Sequence, residues 1–100
     1  MANLITDAQG RPIPVVALGA TLTDTVDGTS DKVDVSTYSI VRVVSDVAIN
    51  FVFGGSSAEA TAADHFLPAG AVEYLSTGGE DYLAYIANST SGTIWVSEVK

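Results

Sequence analysis

The chain has no cysteine, four basic residues, one histidine, one tryptophan and three prolines. Each shortage removes a class of protein. Without cysteine no disulfide can staple the fold and thiolate zinc sites are excluded, the two devices that small domains most often use in place of a large core. The same absence fits synthesis inside a cell. Four Lys and Arg stand against twelve Asp and Glu, a net charge of −8 at pH 7. Such a chain repels a phosphate backbone, so a nucleic-acid partner is not expected. The opening MANLITDAQGRPIPVV has no cationic stretch followed by an apolar run of about 7–15 residues, and nowhere do about 18 apolar residues follow one another. A soluble chain with no secretion signal and no membrane partner is expected.

What is present is apolar and β-prone. Of 100 residues, 47% are hydrophobic and 16% charged, too apolar a balance for a disordered tail. One domain of this size buries roughly 60–65% of the surface its unfolded chain exposes, so the core is thin. Association with copies of itself or with a partner is the remaining way to bury more.

Along the chain, Gly10, Pro12 and Pro14 forbid a helix and withhold two backbone donors from any ladder, so residues 1–14 read as an extended N-terminal arm. Residues 15–100 read as the β domain. VVALG and ATLTDTV suggest a strand, a turn and a second strand, and DGTSDKVDVSTY a polar turn region opened by Asp27-Gly28. YSIVRVVSDVAINFVFGG holds two β-branched runs around Ser45-Asp46 and reads as a central hairpin. In its second run Val47, Ile49, Phe51 and Phe53 share one face, which should be core. SSAEATAADHF reads as an irregular loop or short helical turn before Leu67-Pro68-Ala69-Gly70. AVEYLS, DYLAYIAN and TIWVSEV complete the strands, the middle one apolar on both faces and therefore central or covered. Seven or eight short strands punctuated by turns give an all-β fold: one antiparallel β-sandwich or jelly-roll-like barrel with an extended arm.

Chemistry-bearing constellations are sparse. His65 is the sole imidazole, and Asp64 beside it would point the other way on an extended chain; no nucleophile elbow accompanies them. Glu73 and Asp81 could be picked as paired carboxylates, but no spacing selects them. Neither catalytic residues nor a cofactor is expected, and the chain reads as a non-enzyme. Asp24, Asp27, Asp31 and Asp34 crowd one region where a hard cation could find oxygen ligands, without the EF-hand spacing; a solvated acidic loop is the plainer reading, and no metal site is assigned. Asn88-Ser89-Thr90 fits the glycosylation pattern but reads as a turn. Tyr38, Tyr74, Tyr82, Tyr85 and Trp95 could form a sugar platform, although Trp95 stands in a run that looks buried.

The segments IVRVVSDVAINFVFGG, ATAAD, LPAG, GGED and GTIWVSE, with an opening ITDAQGRPIPV, follow one another over most of the chain. In this order they resemble small tailed-bacteriophage virion proteins, whose pattern is a hydrophobic hairpin, T-A-x-x-D, L-P-A-G, a Gly-acid turn and a closing Gly-Thr strand. The resemblance implies a capsid decoration or cement protein, made in the bacterial host cytoplasm and residing on the capsid surface of the virion. Its implied partners are further copies of itself, as a homotrimer, and the major capsid protein. A carbohydrate-binding module of a receptor-binding or cell-wall-associated protein is the alternative, with a neck or tail component nearer by. The interface is expected at Leu4, Ile5, Arg11, Pro12 and Pro14 of the arm and at Tyr82, Tyr85 and Trp95 of the domain.

Overall fold

The computed structural model describes residues 17–100 together with the backbone of Ile5–Thr6 and Pro12–Ile13. The strands are β1 (Ile5–Thr6), β2 (Pro12–Ile13), β3 (Leu18–Val26), β4 (Asp31–Asp34), β5 (Ile40–Ser45), β6 (Ile49–Gly54), β7 (His65–Leu67), β8 (Val72–Ser76), β9 (Tyr82–Ala87) and β10 (Gly92–Val99). Among the described residues there is no helix. β3-β10-β5-β8 form one four-stranded sheet and β4-β9-β6-β7 another, with every pairing antiparallel. The pairs β3–β10, β4–β9, β5–β8 and β6–β7 are nested inside one another. The chain is thus a long hairpin wound on itself, the jelly-roll form of the β-sandwich.

Alternation explains the core. Val41 and Val43 on β5 and Ile94 and Val96 on β10 point inward from the first sheet; Ile49 and Phe51 on β6, Leu67 on β7, and Leu83 and Tyr85 on β9 meet them from the second. Every residue of this set is buried, Ile49 and Phe51 included, so the face assigned to β6 from its sequence is the core face. At one end the Ala87 amide of β9 donates to the Asp27 carbonyl just beyond β3 at 2.7 Å and so ties the two sheets, while the bonds from Gly70 to Ser45 and from Val35 to Asp81, both 2.8 Å, carry the β5–β8 and β4–β9 pairings on into the loops. Gly92 admits no side chain, because a Cβ there would collide with Asp46 and Val47. Gly78 and Gly79 take φ of 65° and 82° at the β8–β9 turn, a conformation that favours glycine.

Three readings of the sequence are corrected. β5 and β6 are not a paired hairpin: they lie in different sheets, β5 between β10 and β8 and β6 between β9 and β7, and Asp46–Ala48 is the corner between layers. Two strands with large apolar inner faces gain more by packing face to face than by pairing edge to edge. Residues 18–26 form one strand without a turn, bulged where the two residues Gly19 and Ala20 stand opposite the single residue Glu98 of β10. The polar region after Asp27 contains a strand, β4, which pairs with β9. In the arm, β1 and β2 pair with each other over Ile5–Ile13 and Thr6–Pro12. Leu4, Arg11 and Pro14 lie outside the described residues.

Candidate interaction surfaces

The two sheets treat their outward-pointing residues differently. On the first sheet the outer face carries three cross-strand rows: Leu18, Val99, Ile40 and Ser76; Thr23, Trp95, Val44 and Val72; Thr21, Ser97, Arg42 and Tyr74. Leu18, Ile40, Val72 and Tyr74 are 48%, 42%, 42% and 52% exposed. No acidic residue occupies these rows, although the chain has twelve. Single exposed apolar residues are ordinary; here two largely apolar rows flank the middle row of Thr21, Ser97, Arg42 and Tyr74, a mixed apolar and polar face of the kind that interaction surfaces present.

On the second sheet the segment 55–64 lies across the outer face. The Ala60 amide donates to the Ser30 hydroxyl at 2.8 Å, and the Asn50 side-chain amide to the Asp64 carbonyl at 3.2 Å. Ala58 packs against Gly54. Beneath this cover Ala84, which points away from the core, has no exposure. The strand apolar on both faces is therefore both central and covered.

The two lateral edges of the sandwich also differ. At the β3–β4 edge the buried Tyr85 reaches from β9 to donate its hydroxyl to the Asp24 carboxylate. The bond from Tyr85, with smaller help from Asp31 and the Thr25 backbone, holds Asp24 below the ordinary carboxylate range against the opposing effect of burial. Burial, then the Asp24 bond and charge, push the Tyr85 phenol above its ordinary range. At the opposite edge, between β6–β7 and β8, a cleft of about 380 Å³ opens, walled by Phe51, Phe53, His65 and Phe66 from one sheet and Glu73, Leu75 and Ser76 from the other.

The expected site residues are not brought together. Tyr85 is fully buried and belongs to the core, so its place as a surface residue is corrected: a central strand with an inward phenol satisfied by Asp24 has nothing to offer a partner. Tyr82 is half-buried on the second sheet with the Lys32 ammonium 5.6 Å from its ring centre. Trp95 is half-buried and points outward on the first sheet rather than into the core. Of the five aromatics, Trp95 and Tyr74 alone share an outer face. The four aspartates of the acidic region do not form one cluster: Asp24 and Asp31 stand together near the Tyr85 hydroxyl, with Asp31 also accepting the Lys32 amide at 2.8 Å, whereas Asp27 and Asp34 accept the Thr29 and Ser36 amides as turn caps at 2.9 and 2.8 Å. Among the described residues no three His, Asp or Glu side chains gather where they could hold a metal ion. Asp64 accepts the Thr61 amide at 2.7 Å and so caps a turn beside His65. His65 packs instead on Phe51, ring centres 5.6 Å apart. Asn88 sits in a turn, its amide donating to the Asn50 side chain at 3.1 Å.

Comparison of the chain with protein-family models, with curated proteins and with solved structures gives no match.

Proposed function

We propose that this protein is a structural component of a tailed-bacteriophage virion, a decoration protein that binds the capsid shell through the outer face of the β3-β10-β5-β8 sheet and acts as a homotrimer. The observation that carries the reading is that face: Leu18, Ile40, Val72 and Tyr74 are exposed across three cross-strand rows that hold no acidic residue, in an otherwise strongly acidic chain. Burying such a surface against a shell gives a thin-cored domain the apolar contact it lacks by itself. The jelly roll is used by viral capsid and lectin domains alike, which is support by analogy of fold. The order of turn and strand motifs supports the viral side.

The lectin side has one observation in its favour, the shared placement of Tyr74 and Trp95 on that face, where sugar rings could stack. Co-sedimentation with undecorated capsids of the encoding phage separates the two. Tyr74→Glu should weaken capsid binding about tenfold, or about 1.4 kcal/mol, while soluble oligosaccharides leave wild-type binding unchanged. Full capsid binding by Tyr74→Glu would overturn the assigned face, and displacement by sugar would favour the lectin reading.

A further inference from the structure

The β3-β10-β5-β8 sheet sorts its charge by face. Its four strands carry four charged residues, Asp24, Arg42, Glu73 and Glu98. Asp24 stands opposite Ile94, Glu73 opposite Val43 and Glu98 opposite Val41, and those three partners belong to the core. Residues directly opposite on neighbouring strands share a face, so all three acids lie on the inner side, at its margins. Each has a place there: Asp24 holds Tyr85, Glu73 lines the cleft and Glu98 reaches over Gly19. Arg42 alone has the opposite parity.

Arg42 stands in the middle of the outer face, between Ile40 and Val44 along β5 and between Ser97 and Tyr74 across the strands. None of these neighbours is charged. A partner that covers Leu18, Ile40, Val72 and Tyr74 must also cover Arg42, which lies among them and is already half-buried. A guanidinium does not shed its proton, so a purely apolar cover would bury an unpaired cation at a cost that opposes the apolar gain. A carboxylate removes that cost, because it accepts two parallel bonds from the guanidinium fork. The rest of the partner's surface is apolar and not strongly acidic, since a net charge of −8 repels a strongly acidic one. A second copy seated on this face about a two-fold axis through its middle would set the two Arg42 cations against each other. The complement therefore comes from a different surface.

We infer that the shell surface bound by this face is apolar with a carboxylate near its centre, and that Arg42 pairs with that carboxylate. The inference rests on the reading of this face as the shell contact, and adds to it the chemistry of the partner and the residue that reads it. The apolar rows supply contact area, and Arg42 fixes where on the shell the face can sit.

The test is co-sedimentation of Arg42 variants with undecorated capsids of the encoding phage, either untreated or amidated with a carbodiimide and ethanolamine so that their exposed carboxylates are neutral. Arg42→Gln should weaken binding to untreated shells about tenfold. Arg42→Lys should lose less, because it keeps the charge and gives up only the fork. Both variants should keep the urea midpoint and the self-association of the wild type. Amidated shells should bind the wild type about tenfold more weakly, and should bind Arg42→Gln as untreated shells do. If Tyr74→Glu weakens binding and Arg42→Gln does not, the face stands as the shell contact and the carboxylate partner falls. If neither variant weakens binding, the face itself falls and the inference with it. An equal loss by wild type and Arg42→Gln on amidated shells, or a loss of self-association by Arg42→Gln with shell binding intact, would also overturn it.

Discussion

The outer faces of the two sheets are built from similar residues and meet different fates. On the second sheet Ala84 points outward and is fully buried, because segment 55–64 lies over it and is fastened by Ala60 to Ser30 and by Asn50 to Asp64. On the first sheet Ile40, Val72 and Tyr74 point outward and about half of each remains in contact with solvent. An apolar outer face is a cost that a fold meets from within its own chain or leaves for another molecule to meet. The β4-β9-β6-β7 sheet has an internal cover over its centre, with Phe66 on its edge strand β7 left 55% exposed; the β3-β10-β5-β8 sheet has none among the described residues. The segment that covers the one face also shortens β7, so the cleft at the sandwich edge follows from the same route of the chain.

The largest way to break this comparison is Ala84→Glu. The site has no room for a larger side chain, so the variant must either bury the charge or displace segment 55–64, with only Lys32 directly across on β4 to offset it. Overpacking alone costs about 1–3 kcal/mol and burial of a charge only partly offset adds to it. A loss of at least about 2 kcal/mol in urea denaturation is expected. A neutral result would mean that the segment lifts freely and that the two faces are alike.

A middle-sized effect lies at the closed edge. Asp24 is held below its ordinary value of 3.8, so its contribution is present above that pH and is lost as pH falls through the lowered value. Tyr85 is pushed above its ordinary value of 10.0. Its contribution is present below pH 10 and is lost as pH rises, because the unfolded phenol ionises first. Tyr85→Phe removes the bond and should reduce stability by about 1.5 kcal/mol at neutral pH, a low figure for a bond to a charged group because Asp24 is partly solvated. The gap between wild type and variant should narrow at pH 3 and again at pH 11. Denaturation curves at the three pH values that run parallel would show that the bridge does not hold this edge.

Much of the fold was legible in local sequence, and what was missed has a common cause. β6, β8, β9 and β10 stand where alternation places them, and Gly78-Gly79 turns where expected. The separation of β5 from β6 was not legible, since a strand's period gives its faces but not its partner, and Ser45-Asp46 suits a corner as well as a turn. β4 was missed because DKVD has a single apolar residue; its pairing with β9 decides it, a tertiary influence stronger than local propensity. The cleft joins Phe53 to Leu75 across two sheets, and no local pattern links them. β8 shows why the exposed face was hard to read. Its more apolar pair, Val72 and Tyr74, faces solvent, while Glu73 and Leu75 face the cleft. Alternation alone cannot say which pair looks outward.

The smallest effect on stability is also the one that sharpens the comparison most. Val72 is 42% exposed on edge strand β8, with Val44 as its cross-strand neighbour. Val72→Glu places on the first sheet the same side chain that Ala84→Glu places on the second. Water can solvate it there, and what remains is the lower β propensity of Glu, worth a few tenths of a kcal/mol at an edge. Its denaturation midpoint should therefore correspond to wild-type stability within about 0.5 kcal/mol. Sedimentation velocity of the same variant should show weaker self-association if the proposed trimer uses this face, and unchanged assembly if the face serves the proposed shell contact instead. A loss of stability comparable to that of Ala84→Glu would mean that this face, too, is covered by part of its own chain, and the contrast between the sheets would fall.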